Sequence, residues 1–205
     1  MLYQTIHLDN ETQILIWKTS ESHDELLLHL NLEFQQLREL DSVHSEKRQM
    51  EKLATLCLLE EAFPDGYKLE YTNERKPLLR DSNKYISISH TAHWVVLAVS
   101  ERNIGIDIQQ IDSRVNKIRQ RFVRAEEYID PEHETLHLLL HWSAKEAAYK
   151  WLGLSAVDLK EHLQVLPFQI EDSGEFEIKE TKTKEENLLR ARYEITSDFV
   201  LVTVG

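Results

Sequence analysis

Glycine is scarce in this chain of 205 residues: five, at positions 66, 105, 153, 174 and 205, no two of them close together. That spacing excludes a G-x-G-x-x-G dinucleotide loop and a P-loop, so any phosphorylated ligand must be met by Lys, Arg, helix N-termini or a metal ion. Cysteine is scarcer still. The single Cys57 excludes an internal disulfide and any C-x-x-C metal or redox motif. Long apolar runs are also lacking, since the longest, Trp94–Val99, has six residues and is far short of a membrane span. Met1–Asn10 carries neither the basic region nor the apolar stretch of a secretory leader, and a reducing cytoplasm is the expected compartment. Positive charge is in deficit, 24 Lys+Arg against 36 Asp+Glu, net −12. That balance argues against general nucleic-acid binding.

What is present is an ordinary globular composition, 41% hydrophobic and 29% charged, long enough for one or two domains. Strand patterns cover Leu2–Leu8 and Thr12–Lys18. Two helical patterns follow, Ser22–Leu40 with Leu26, Leu27, Leu30 and Phe34 in register, and Ser45–Ala62 with Met50, Leu53, Leu56 and Leu59 on one face. Pro64-Asp65-Gly66 ends the second. Short strands are expected near Tyr67–Tyr71, Lys84–Ser89, Trp94–Val99 and Ile104–Ile108. A basic amphipathic helix is expected over Ser113–Val123, a long helix over Pro131–Leu152, and three or four strands between Leu163 and Val204. Each half mixes helices with hairpin-connected strands, which predicts an α+β fold of two lobes, 1–102 and 103–205, meeting in a cleft.

Three segments could carry chemistry. In Asn103-Ile104-Gly105-Ile106-Asp107-Ile108-Gln109, alternation puts the three isoleucines on one face and Gly105, Asp107 and Gln109 on the other. That polar face suits a half-exposed strand, and it also suits a wall for a hydrated divalent cation. In His141-Trp142-Ser143-Ala144-Lys145-Glu146-Ala147-Ala148-Tyr149-Lys150-Trp151, a helix aligns Trp142, Glu146 and Lys150 in one stripe. Leu136, Leu140, Ser143, Ala147 and Trp151 form a largely apolar face, so the Glu/Lys pair is expected half-buried rather than a solvated salt bridge. In Ile86-Ser87-Ile88-Ser89-His90-Thr91, the isoleucines point inward and Ser87 and Ser89 outward, with His90 at the strand end. No G-x-S-x-G elbow accompanies them, so a Ser–His nucleophile is not expected; hydroxyl and imidazole are instead donors for phosphate oxygens.

Together, S-I-S-H-T, G-I-D and W-S-A-K-E-A-A-Y-K resemble the 4′-phosphopantetheinyl transferase superfamily, in its larger, surfactin-synthetase-activating branch. The resemblance runs from about Ser45 to Gly153 and includes Arg48 and the turn Arg75-Lys76-Pro77. It implies a monomer of two similar, pseudo-two-fold related lobes with the active site between them. It also implies Mg²⁺-dependent transfer of the phosphopantetheine arm of coenzyme A to a serine of an apo acyl or peptidyl carrier protein, releasing 3′,5′-ADP. By the same resemblance Asp107, Gln109 and Glu146 hold the metal and Glu146 accepts the serine proton. Lys150 neutralises the diphosphate, while Arg48, Lys76, Ser89 and His90 meet the nucleotide end. The family usually has Glu where this chain has Gln109, and Gly where it has Arg75. The Gln109 departure supports an alternative, a coenzyme A or carrier binder with weak catalysis.

His133-Glu134-Thr135-Leu136-His137 is a literal H-E-x-x-H, the zinc-peptidase signature. Asp130-Pro131 ahead of it looks like an N-cap and first helical residue, which places the motif in the opening turns of a helix rather than in a buried one. The peptidase reading is therefore the minor one. Ser113–Arg124 holds Arg114, Lys117, Arg119, Arg121 and Arg124 and no acid. In a chain of net −12 such a patch suits either an acidic docking partner, as carrier proteins are, or a solvated helix. Glu171–Asn187 reads as a solvated hairpin edge.

Overall fold

A computed structural model of the chain describes residues 1–9, 11–30 and 43–205. The strands are β1 (Leu2–His7), β2 (Thr12–Lys18), β3 (Leu69–Tyr71), β4 (Pro77–Leu79), β5 (Tyr85–Thr91), β6 (Trp94–Ser100), β7 (Gly105–Gln110), β8 (Leu163–Val165), β9 (Ser173–Glu180), β10 (Leu188–Ile195) and β11 (Phe199–Val204). The helices are α1 (His23–Leu28), α2 (Glu46–Ala62) and α3 (Glu134–Leu152), with a 3₁₀ segment over Ser113–Arg121. The strands form a four-stranded sheet, β1-β2-β6-β5, a five-stranded sheet, β7-β11-β10-β9-β8, and the β3-β4 hairpin. Neighbouring strands in these sheets run antiparallel. The fold is α+β, as the sequence pattern predicts. No helix among the described residues is long and apolar enough to cross a membrane.

Alternation explains the layering. On β2 and β6, Leu15, Trp17, Val95, Leu97 and Val99 pack with Leu53, Leu56 and Leu59 of α2. Their neighbours Ile14, Ile16, Trp94, Val96 and Ala98 face the other way and meet Ile104, Ile106, Ile108, Phe199 and Leu201 of the second sheet. Val200, Val202 and Val204 then turn to α3, against Leu138, Ala144 and Ala147. The order is α2, first sheet, second sheet, α3. The two central layers are covered on both faces, which is why Trp94–Val99 is apolar without alternation. Each fully buried Val or Leu contributes about 1.5–3 kcal/mol, so these layers dominate stability.

α1 starts on a capping box, Ser22 with Glu25, within the predicted helical pattern. Phe34 and the remainder of that pattern to Leu40 lie outside the described residues. Four expectations need correction. α3 begins at Glu134, not Pro131, because the Asp130 carboxylate is taken by the Glu132 N–H at 2.9 Å and the His133 ring at 3.0 Å, making a turn ahead of the helix. The basic segment is 3₁₀ rather than α: Val115 and Ile118 sit three apart, the spacing that stacks in a 3₁₀ turn. Ser87 and Ser89 are buried rather than turned outward. β9 is flanked by β8 and β10, with Phe176 and Ile178 in the core. Glu180 turns inward, where its carboxylate accepts the N–H groups of Lys182, Thr183 and Asn187.

The second core encloses a charge pair. Lys145 and Glu127 are sealed from solvent at 2.8 Å. The Glu127 carboxylate also accepts the N–H of Arg124 at 2.6 Å and of Val165 at 2.7 Å. His141, 3.8 Å from the same carboxylate, is held well below the ordinary histidine value by burial, with the positive Lys145 adding to the effect. Lys145→Met should lower stability in urea unfolding by about 3–5 kcal/mol, because it strands the Glu127 charge. Adding Glu127→Gln, which removes that charge and keeps an acceptor, should restore most of the loss. Protonation of His141 is taken up by the unfolded chain before the folded one. Stability should therefore fall as pH drops through about 6.5, and His141→Phe should flatten that limb.

Candidate functional site

β5 and β7 are edge strands of the two large sheets, and three hydroxyls join them. Alternation puts Ser87, Ser89 and Thr91 on the side of β5 that meets β7. The Ser87 hydroxyl oxygen accepts the Ile106 N–H at 3.1 Å, and that of Thr91 accepts the Gln110 N–H at 3.3 Å. Ser89 Oγ instead donates to Asp107 Oδ1 at 2.7 Å.

α3 crosses the other face of β7 at very short range. A Cβ added to Gly105 would lie 1.9 Å from the Ala147 carbonyl oxygen, so only glycine admits the helix here. The space that the missing side chain of Gly105 leaves is filled by helix backbone. Ala147 lies between Glu146 and Lys150, so this seat lays both over the strand. Lys150 Nζ donates to the Ile106 carbonyl at 2.8 Å and to Asp107 Oδ1 at 2.9 Å. Gln109 Nε2 donates to Asp107 Oδ2 at 3.0 Å. Burial raises the Glu146 carboxyl above its ordinary value, the Asp107 charge adds to this, and Lys150 opposes both. The two acids thus act on each other across the strand–helix contact.

The donor set is all oxygen, which suits a hard dication. Among the described residues no group of three or more His, Cys, Asp or Glu is placed to hold a metal. Asp107 and Glu146 supply two carboxylates, and Gln109 an amide. Asp107 already takes three donors, leaving about one of its four lone-pair directions, on Oδ2. The residues fit an ion that uses few protein ligands and keeps its waters, the habit of Mg²⁺.

A cleft of about 310 Å³ opens beside Lys150, between the turn Glu74–Pro77, Ile86–Ile88 of β5, and Tyr149, Gly153 and Leu154 at the end of α3. Arg75 sits at φ 64°, in the left-handed region that favours glycine. Lys76 lines this cleft, and its ammonium group donates to Asn103 Oδ1 at 2.8 Å and to the Trp151 carbonyl at 3.1 Å. Asn103 Nδ2 also donates to that carbonyl, at 2.8 Å. The sequence pattern does not predict this cap on the helix C-terminus, and its one cue is that Asn103 lies two residues ahead of the G-I-D strand. A larger hollow, about 1460 Å³ between α2 and the β3-β4 hairpin, contains none of the predicted site residues. The thiol lining it, Cys57, is pushed up to about 12 by burial and is no nucleophile.

Asp107, Gln109, Glu146, Lys150 and Ser89 are therefore gathered. Arg48 is exposed on the first turn of α2 and His90 pairs with Glu51 of that helix at 3.2 Å, so these two mark a second place along the surface. The H-E-x-x-H residues are scattered. His133 is the exposed N-cap of α3 paired with Asp130, Glu134 pairs with Arg119, and His137 is buried with Nδ1 accepting the Asp130 N–H. In the basic segment, Arg114 folds onto Asp112 and Arg124 binds the carbonyls of Lys160 and Glu161, while Lys117 and Arg121 are exposed. Arg124 lies past the 3₁₀ segment, which ends at Arg121.

Residues 103–204 match the family model of the 4′-phosphopantetheinyl transferase superfamily. A Bacillus subtilis protein named 4′-phosphopantetheinyl transferase is 35% identical over 89 residues, 41% of this chain and 39% of that protein. 4′-Phosphopantetheinyl transferase psf-1 of Bacillus pumilus is 36% identical over 84 residues, 38% of this chain and 36% of that relative. 4′-Phosphopantetheinyl transferase Sfp of Bacillus subtilis strain 168 is 32% identical over 84 residues, 38% of each. The chain thus spans less than two fifths of the length of each of these relatives in the matched stretch.

Gly105→Ala should lower stability by about 3 kcal/mol, the upper end for overpacking, since the opposing atom is backbone and cannot turn aside. Urea unfolding read by circular dichroism checks this; a variant as stable as the parent would contradict the contact.

Proposed function

Through residues 103–204 the chain belongs to the 4′-phosphopantetheinyl transferase superfamily, and on that premise we propose that it transfers the phosphopantetheine arm of coenzyme A to a serine of an apo acyl or peptidyl carrier protein. The observation that carries the reading is the meeting of Asp107, Glu146 and Lys150 at the β5/β7 seam beside the cleft. Asp107, Glu146 and the Gln109 amide are the residues to hold Mg²⁺, which supplies charge stabilisation at the diphosphate when bound.

The remaining steps fall to side chains. Glu146, its basicity raised by burial and by Asp107, accepts the serine proton directly or through water. The serine oxygen bonds to the β-phosphorus of coenzyme A, the bond to the bridging oxygen breaks, and 3′,5′-ADP leaves. Lys150, a quarter exposed on a flexible stem, reaches the diphosphate oxygens and offsets the charge that develops there. Arg75, His90 and Arg48 offer charge to the nucleotide end. Lys76 contributes its aliphatic stem and fixes the wall. The exposed Lys117 and Arg121 of the basic segment form the docking edge for an acidic carrier. Lobes spanning 1–102 and 103–205, related by a pseudo-two-fold axis in a cytoplasmic monomer, are part of the same reading. One observation favours the weakly catalytic alternative: Gln109 spends its amide on Asp107 and adds no third carboxylate.

The purified chain incubated with coenzyme A, Mg²⁺ and an apo carrier protein should raise the carrier mass by one phosphopantetheine arm. Asp107→Ala and Glu146→Ala should each slow transfer by about 100-fold or more. Unchanged mass across several acyl and peptidyl carriers would overturn the transferase reading. Coenzyme A binding without transfer would select the alternative.

A further inference from the structure

We propose that Ser89 is a positioning residue for the cation site: its buried hydroxyl fixes the orientation of the Asp107 carboxylate. The inference rests on the metal reading above and gives Ser89 a task that the family resemblance does not imply.

Of the three hydroxyls across the β5/β7 seam, Ser87 and Thr91 are spent on backbone N–H groups, where they replace missing ladder bonds. Ser89 alone addresses a side chain. A hydroxyl has a single hydrogen to donate, and at 2.7 Å from Oδ1 that hydrogen is committed. Ser89 is 5% and Asp107 2% exposed, so little water competes for the bond, which makes it a strong, charge-assisted one. The cleft beside Lys150 is lined by Ile86, Ser87 and Ile88 of the strand but not by Ser89. A ligand in that cleft meets the other part of β5.

Asp107 Oδ1 has a second donor, Lys150, and the two differ in kind. Lys150 carries a charge, so it competes with a dication for the same carboxylate, and its flexible stem lets it move to an anionic ligand. Ser89 is neutral and short. It does not compete by charge, and it is fixed by the strand. When Lys150 leaves Oδ1, the serine is the donor that keeps this oxygen occupied and Oδ2 turned toward Gln109. Supporting groups of this sort are worth about 10–100-fold in metal affinity.

The test is Mn²⁺ binding to the full chain with coenzyme A present, followed by electron paramagnetic resonance, beside coenzyme A binding in EDTA followed by calorimetry. Ser89→Ala should weaken Mn²⁺ binding about tenfold and leave metal-free coenzyme A binding unchanged. Ser89→Thr should restore the cation affinity, and Ser89→Cys, of similar size but a weak donor, should fall between. Thr91→Ala, which removes a seam hydroxyl without touching Asp107, should bind Mn²⁺ as the parent does. Parent-like Mn²⁺ affinity in folded Ser89→Ala and Ser89→Cys would overturn the proposal alone. An equal loss in metal-free coenzyme A binding would return Ser89 to the nucleotide. A parent chain that binds no Mn²⁺ would overturn the metal reading and this inference with it.

Discussion

The contact between the backbone of α3 and the Cβ-less Gly105 is the constraint from which the rest of the site follows. It brings the helix axis onto β7 at a distance no other residue permits. The side chains one position before and three after Ala147 are thereby laid over Asp107. Ionic attraction alone would not set this spacing, because a pair of charges tolerates many separations whereas two backbones in contact tolerate one. The apolar face of α3, with Leu138, Ala144 and Ala148 on the second sheet, clamps the helix in that seat.

Within the seat, the electrostatics are arranged around a shortage. Two carboxylates share a poorly hydrated spot with one ammonium group. Asp107 holds the ammonium at 2.9 Å and two further donors, and Glu146 is left with the weaker share and a raised affinity for protons. Burial raises the proton affinity of Glu146, and the Asp107 charge adds to it. Asp107 is engaged by three donors, whereas Glu146 is the carboxyl group whose proton affinity is raised, the condition a general base needs.

Much of this was legible in the chain. β2 spans Thr12–Lys18 as the alternation predicts, and α2 ends where Pro64 removes a donor. The helix period aligns Glu146 with Lys150 and the strand period sets Asp107 beside Gln109 on one face; that the two sets meet is what the family resemblance implies. What escaped were features decided by tertiary contact or by one side chain. Ser87 and Ser89 look like an exposed polar face until a second sheet edge is placed against them. The start of α3 moved because the Asp130 carboxylate found partners two and three residues on. Lys145 sits in the most telling motif, yet its burial depends on Glu127, which no local period links to it. Arg48 and His90 reached a different stretch of surface because α2 packs on the far face of the first sheet.

The sealed pair Glu127 and Lys145 lies eighteen positions apart in sequence and back to back with the site, since Lys145 directly precedes Glu146 on the helix. Exchange of one partner by a single point change leaves a bare ion in the interior, a far heavier penalty than the joint exchange of both for neutral side chains. Descendants of this chain are therefore free to vary the exposed tip of the basic segment, while the two positions beneath it are inherited together or lost together.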